Sequence, residues 1–110
     1  MATKNRTLGK LLSTSNATIY TVPVRYVTEV TSIVISNASA STVTVTLTWT
    51  DAVLATTYSI TEQVPMYGRS VVQLTHAFTL QANDIISGYA SANSAITISV
   101  KVQEEYSVVY

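Results

Sequence analysis

The sequence predicts an all-β fold, an antiparallel β-sandwich (jelly-roll-like or a flattened barrel) of about seven or eight short strands. Three observations carry that reading. Thr, Val, Ser and Ile dominate the chain, with seven tyrosines among them, and these residues suit a pleated, half-buried surface. Thr42 to Trp49 alternates strictly, with Val43, Val45, Leu47 and Trp49 on one face and threonines on the other. Helix formers are scarce, and turn signals recur at regular spacing between the apolar runs.

Taken in order, residues 1–15 read as an N-terminal strand or extended arm. Residues 16–104 form the sandwich and residues 105–110 a C-terminal tail. A short strand between Ile19 and Val22 ends at Pro23. The next runs from about Tyr26 to Ser36, where Val27, Ile33 and Ile35 share parity but Val30 and Val34 do not. Either a bulge shifts the register there or both faces are covered. Asn37 to Ser41 reads as the loop of a hairpin into the Thr/Val strand. Trp49 shares parity with that strand's apolar face and is expected in the core. Asp51 to Ala55 is a second turn, Thr57 to Val64 a strand, and Pro65 to Gly68 a turn. Arg69 to Leu74 is a strand, His76 to Gln81 reads either way, Asn83-Asp84 punctuates, and Ile85 to Ala90 is a short strand. In the closing strand Ile96, Ile98, Val100 and Val102 share one face. The Glu104-Glu105 pair is expected on a solvated edge.

Composition removes whole classes of function. At 110 residues there is one core and no room for a second. Hydrophobic residues make up 47% and charged residues 11%, the reverse of a disordered chain. Six cations balance six anions, so no basic surplus exists to neutralise phosphates, and nucleic acid is not an expected partner. Cysteine is absent, which removes disulfides, thiolate nucleophiles and Cys-ligated metals. No apolar run has the length of a membrane-spanning helix, so no membrane partner is expected. The basic N-terminus leads into a segment too short and too charged for a signal-peptide core, so the chain is expected to be made and kept, or assembled, in a cytoplasm.

Chemistry is equally sparse. The single histidine, His76, has Asp51 and Asp84 as conceivable triad partners, yet no serine occupies a nucleophile-elbow context. The carboxylates are dispersed, without metal-ligand spacing. Three glycines build no phosphate-cradling loop. The chain therefore reads as a non-enzyme without cofactor or metal. Seven tyrosines and one tryptophan on a sandwich leave a carbohydrate- or receptor-binding face as an alternative, with Tyr67 the aromatic to test.

Two features point to assembly. Charge is nearly absent from Val30 to Thr50, and from Thr75 to Val100 apart from Asp84, whereas β proteins ordinarily guard open surfaces with charge. The termini are the second. Met1 to Lys10 holds half of the cations, Lys4, Arg6 and Lys10, and the C-terminal end passes from Glu104 and Glu105 through Tyr106 to apolar Val108, Val109 and Tyr110. Lys4, Arg6, Lys10, Tyr67, Tyr106, Val108, Val109 and Tyr110 are the candidate interface.

A resemblance accompanies this reading. Ala17-Thr18-Ile19-Tyr20-Thr21-Val22-Pro23, then Val30 to Asn37, the Ser/Ala turn into Thr42 to Leu47, Leu80-Gln81-Ala82-Asn83-Asp84-Ile85-Ile86 and the closing Ala95 to Val100 follow one another. This order resembles the small all-β virion structural proteins of tailed bacteriophages, over about residues 8 to 103. One departure is that Pro23 leads into Val24-Arg25-Tyr26 where a glycine-containing turn is usual. The resemblance implies a structural virion component, first a capsid decoration (cement) protein that stabilises the head through many weak lattice contacts. The alternative is a tail, neck or baseplate module. Its partners would be itself, as a homo-oligomer and possibly a trimer, and the major capsid protein or other virion proteins. Its location would be the virion, assembled in the host cytoplasm.

Overall fold

A computed structural model describes residues 3–75 and 77–106. The described residues form nine strands and no helix. They are β1 (Thr3–Leu11), β2 (Ala17–Thr21), β3 (Tyr26–Asn37), β4 (Val43–Asp51), β5 (Thr56–Met66), β6 (Val71–Leu74), β7 (Phe78–Leu80), β8 (Ile85–Ala90) and β9 (Ile96–Tyr106). All pairings are antiparallel. One sheet runs β1-β9-β3-β6, with β7 beside the other half of β3, and the second runs β2-β8-β4-β5. With β6 and β7 sharing one position, the strands alternate between sheets in the order of a jelly roll.

The core lies between the sheets and is built from the alternating rows. Ile96, Ile98, Val100 and Val102 of β9 are fully buried, as are Val43, Val45 and Leu47 of β4. The broken alternation in β3 is a bulge. The register against β9 shifts between Val30 and Ser32, so Thr28 and Val30 face inward before it and Ile33 and Ile35 after it. The turn after Pro23 closes without glycine. Tyr26 N–H donates to Pro23 C=O at 3.1 Å while Arg25 takes the left-handed conformation, φ 69°.

Three expectations need correction. Asn37 to Ser41 is not a hairpin loop, because β3 and β4 belong to different sheets and the loop crosses between them. Buried Asn37 holds the crossover. Its Nδ2 donates to the carbonyls of Ser41 and Met66, each at 2.9 Å, and its Oδ1 accepts from Ser39 N–H at 3.0 Å. Glu104 is not solvated. It continues the inward row of β9 and is 1% exposed. Trp49 faces inward but is only partly buried, because the sandwich is open where it lies.

The terminal segments are strands where described. Thr3 onward pairs with β9 in unbroken register, from Thr3 opposite Glu105 to Leu11 opposite Thr97. β9 itself extends through Tyr106.

Candidate interaction surface

A two-sheet sandwich has two flanks where edge strands face each other. Here they differ. At the first flank, β1 and β2 meet and the core is closed. Partners across an antiparallel pair share a face, so β1 turns Lys4, Arg6, Leu8 and Lys10 to the inner side, where Leu8 and Lys10 are partly buried and Lys4 and Arg6 stay exposed. Arg6 Nη1 lies 3.4 Å from Glu104 Oε2. Tyr20 of β2 reaches across from the other sheet and donates its hydroxyl to the same Oε2 at 2.5 Å, with Thr28 Oγ1 2.9 Å from the phenol oxygen. No buried polar side-chain atom among the described residues lacks a partner. Burial, and then the bond to the Glu104 carboxylate, push the Tyr20 phenol far above its ordinary range. The group is a structural clamp with its hydrogen bonds filled.

At the second flank, β5 faces β6 and β7, and the core is open. Tyr58 and Val64 lie opposite Trp49 and Val45, in the inward row of the second sheet, and Val72 lies opposite Ile35 in the first. All three are nonetheless exposed. Between the edges runs a groove of about 330 Å³. Its floor is Val30 and Ile33, and its walls are Trp49 and Ile60 from one sheet and Leu74 and Phe78 from the other. Tyr58 stacks on Trp49 at the rim, with ring centroids 4.8 Å apart and planes at 28°. β5 is irregular here: its register against β4 shifts twice, and Gln63 takes φ 48°.

Exposed large hydrophobics concentrate on this flank. Apart from Leu11 and Val24, those among the described residues are Val53 and Leu54 in the β4–β5 turn, Tyr58 and Val64 on β5, Tyr67 in the next loop, and Val71 and Val72 on β6. The only charged residues from 52 to 75 are Glu62 and Arg69. Exposed apolar side chains with so little charge among them make this flank the candidate interaction surface.

The residues singled out from sequence fall in different places. Tyr67 is 70% exposed at the end of the open flank. Lys4, Arg6 and Lys10 lie along β1 on the opposite side. Tyr106 ends β9 and packs edge-on against Tyr26 at 5.4 Å. Val108, Val109 and Tyr110 lie outside the described residues, as does His76. Asp51 and Asp84 accept backbone hydrogen bonds in turns. Among the described residues no group of three or more His, Asp or Glu is placed to hold a metal. Sequence reasoning missed Val53, Leu54, Tyr58, Val71 and Val72. One signal was present: the turn after Asp51 reads Ala-Val-Leu-Ala, where turn tips ordinarily carry Gly, Asn or Ser.

No protein-family model matches the chain, and no curated protein matches it by sequence. A solved structure does match its fold. It comes from work on Bacillus endospore appendages described as a novel family of disulfide-linked pili. The similarity has a TM-score of 0.58 at 13% identity and covers 98% of this chain and 88% of that one. The two share a sandwich fold. The present sequence contains no cysteine, so disulfide linkage does not carry over to it.

Proposed function

We propose that this chain is a non-enzymatic structural subunit of a large assembly, and specifically a capsid decoration protein of a virion. The observation that carries the structural role is the open flank, where inward-row side chains of both edge strands stay uncovered and almost no charge intervenes. A surface built this way gains by burial, about 25 cal/mol per Å² of apolar area covered. Copies arrayed on a lattice add many such weak contacts through high effective concentration. The resemblance of its motif order to small all-β phage virion proteins supports a virion component, and an all-β module with no helix among its described residues suits decoration of the head, with the major capsid protein as partner. Quantitative mass spectrometry of purified particles tests this. A copy number that scales with the major capsid protein is expected. One that scales with the portal moves the chain to the neck or tail, and absence from the particle overturns the reading.

A second reading is a subunit that polymerises into a filament, and the fold shared with a pilus-related protein favours it. Electron microscopy of the concentrated, purified chain separates the two. Filaments without capsids support the second, and discrete oligomers that bind capsids support the first.

A further inference from the structure

The β4–β5 turn is an apolar knob built to stay in place. Val53 is 85% exposed and Leu54 64% exposed, at the tip of a turn fixed by four hydrogen bonds. Asp51 Oδ1 accepts from the backbone N–H of Val53 at 2.9 Å and of Leu54 at 3.1 Å. Asp84 Oδ1 accepts from Ala52 N–H at 2.9 Å, and Thr56 Oγ1 donates to Leu54 C=O at 3.1 Å. Ala55 takes φ 53°, a left-handed conformation that costs an L-residue with a side chain about 1–2 kcal/mol. A solubilising turn would carry polar residues at its tip and glycine at that position. This one is ordered at a cost and presents two aliphatic side chains to water.

The same flank holds the groove. An apolar cavity of about 150 Å³ accommodates a benzene ring. At about 330 Å³, the groove has room for two aliphatic side chains together. Knob and receptor are thus both present on one chain, and that is what contact between copies requires. Charge does not oppose it. Residues 52–75 carry one Glu and one Arg, the Asp51 and Asp84 carboxylates at the base of the turn are taken up by backbone N–H groups, and the net charge of the chain is zero.

We propose that a second copy of this chain docks on the open flank, with its Val53–Leu54 turn seated in the Trp49–Phe78 groove. Docking covers Tyr58 and buries the open edge of Trp49. The inference rests on the reading of the chain as an assembly subunit and names the surface through which copies join.

Trp49 is the only tryptophan, so its fluorescence reports groove occupancy directly. Sedimentation of the purified full chain is measured across a concentration series together with Trp49 emission. Association is expected, with emission moving to shorter wavelength in step with it. The double variant Val53→Asp/Leu54→Asp changes only exposed turn side chains. It is expected to keep its circular dichroism spectrum and to weaken association at least about tenfold, with no emission shift. Tyr58→Glu, at the groove rim, is expected to do the same from the receptor side. Three results overturn the docking mode: a wild-type chain that stays monomeric, association that survives the turn variant, or association that leaves Trp49 emission unmoved. Particle copy number is read separately. A monomeric chain still present in proportion to the capsid protein removes the docking mode and leaves the structural role intact.

Discussion

The two flanks of this sandwich solve the same edge problem in opposite ways. At the β1–β2 flank the inward positions of the edge strand hold cations, and one of them pairs with a carboxylate buried in the adjacent strand. At the β5–β6 flank the inward positions hold Tyr58, Val64 and Val72, which stay exposed, Tyr58 stacking on Trp49 at the rim. Inward-pointing charge is a known device against edge-to-edge pairing. Bulges are another, and β5 has two register shifts that distort its free edge. The first flank is therefore closed and self-sufficient. The second resists strand addition through its backbone while offering its side chains. That combination favours a partner that inserts side chains between the sheets over one that extends a sheet.

The comparison can be broken most directly at the closed flank. Tyr20→Phe removes the donor that satisfies buried Glu104, and a hydrogen bond to a charged group is worth about 1.5–3 kcal/mol. A stability loss of that size in urea unfolding is expected. The same phenol sets an alkaline limit. Its folded-state pKa is raised, so above a pH of about 10 the unfolded chain sheds a proton that the folded chain keeps. The unfolded state then binds fewer protons, and stability falls as pH rises, by up to about 1.4 kcal/mol per pH unit from this group. Denaturation midpoints measured from about pH 8 to about pH 12 are expected to fall less steeply in Tyr20→Phe than in wild type. Equal slopes would remove Tyr20 from the account.

Arg6→Ala is the next step down. The guanidinium is 42% exposed and 3.4 Å from its partner, so water screens much of the pair. A loss of about 1 kcal/mol or less is expected by the same assay.

At the open flank the expected signs differ. Ala55→Gly relieves a left-handed residue and is expected to raise stability by up to about 1 kcal/mol, visible as a higher denaturation midpoint. Val71→Thr replaces a side chain that is 65% exposed on β6. Its effect on stability is expected to stay within about 0.5 kcal/mol, while solubility measured by precipitation rises. A large stability loss there would mean that the flank belongs to the core of the isolated chain.

Strict alternation made much of this architecture legible. The rows through Val43–Leu47 and Ile96–Val102 could be read directly, and the conflict of parity in β3 located a bulge. The same row also contained the buried carboxylate. Counting by twos from Ile96 ends on Glu104, but the adjacent Glu105 drew the pair toward solvent. Nothing local in Ser-Ala-Ser distinguishes a hairpin from a crossover between sheets. The difference is made by Asn37, whose bonds reach Met66, far along the chain. Trp49 obeyed its parity, but parity assigns a face and not a depth, and Trp49 lies in the wall of the open groove. The apolar turn at Val53–Leu54 was visible as a turn. Its significance appeared only when the groove was placed on the same flank.

The central place of β9 has a consequence for synthesis. β9 pairs along its length with both β1 and β3, and Thr3 lies opposite Glu105. As the chain leaves the ribosome, β1 emerges well before its pairing partner, which begins at residue 96. Until then β1 has no strand to pair with, and contacts so distant in sequence form slowly. Lys4, Arg6 and Lys10 are spaced along the strand that must wait longest, where charge keeps an unpaired nascent segment from joining another chain. The cations of β1 thus guard the chain before it folds as well as its edge afterwards.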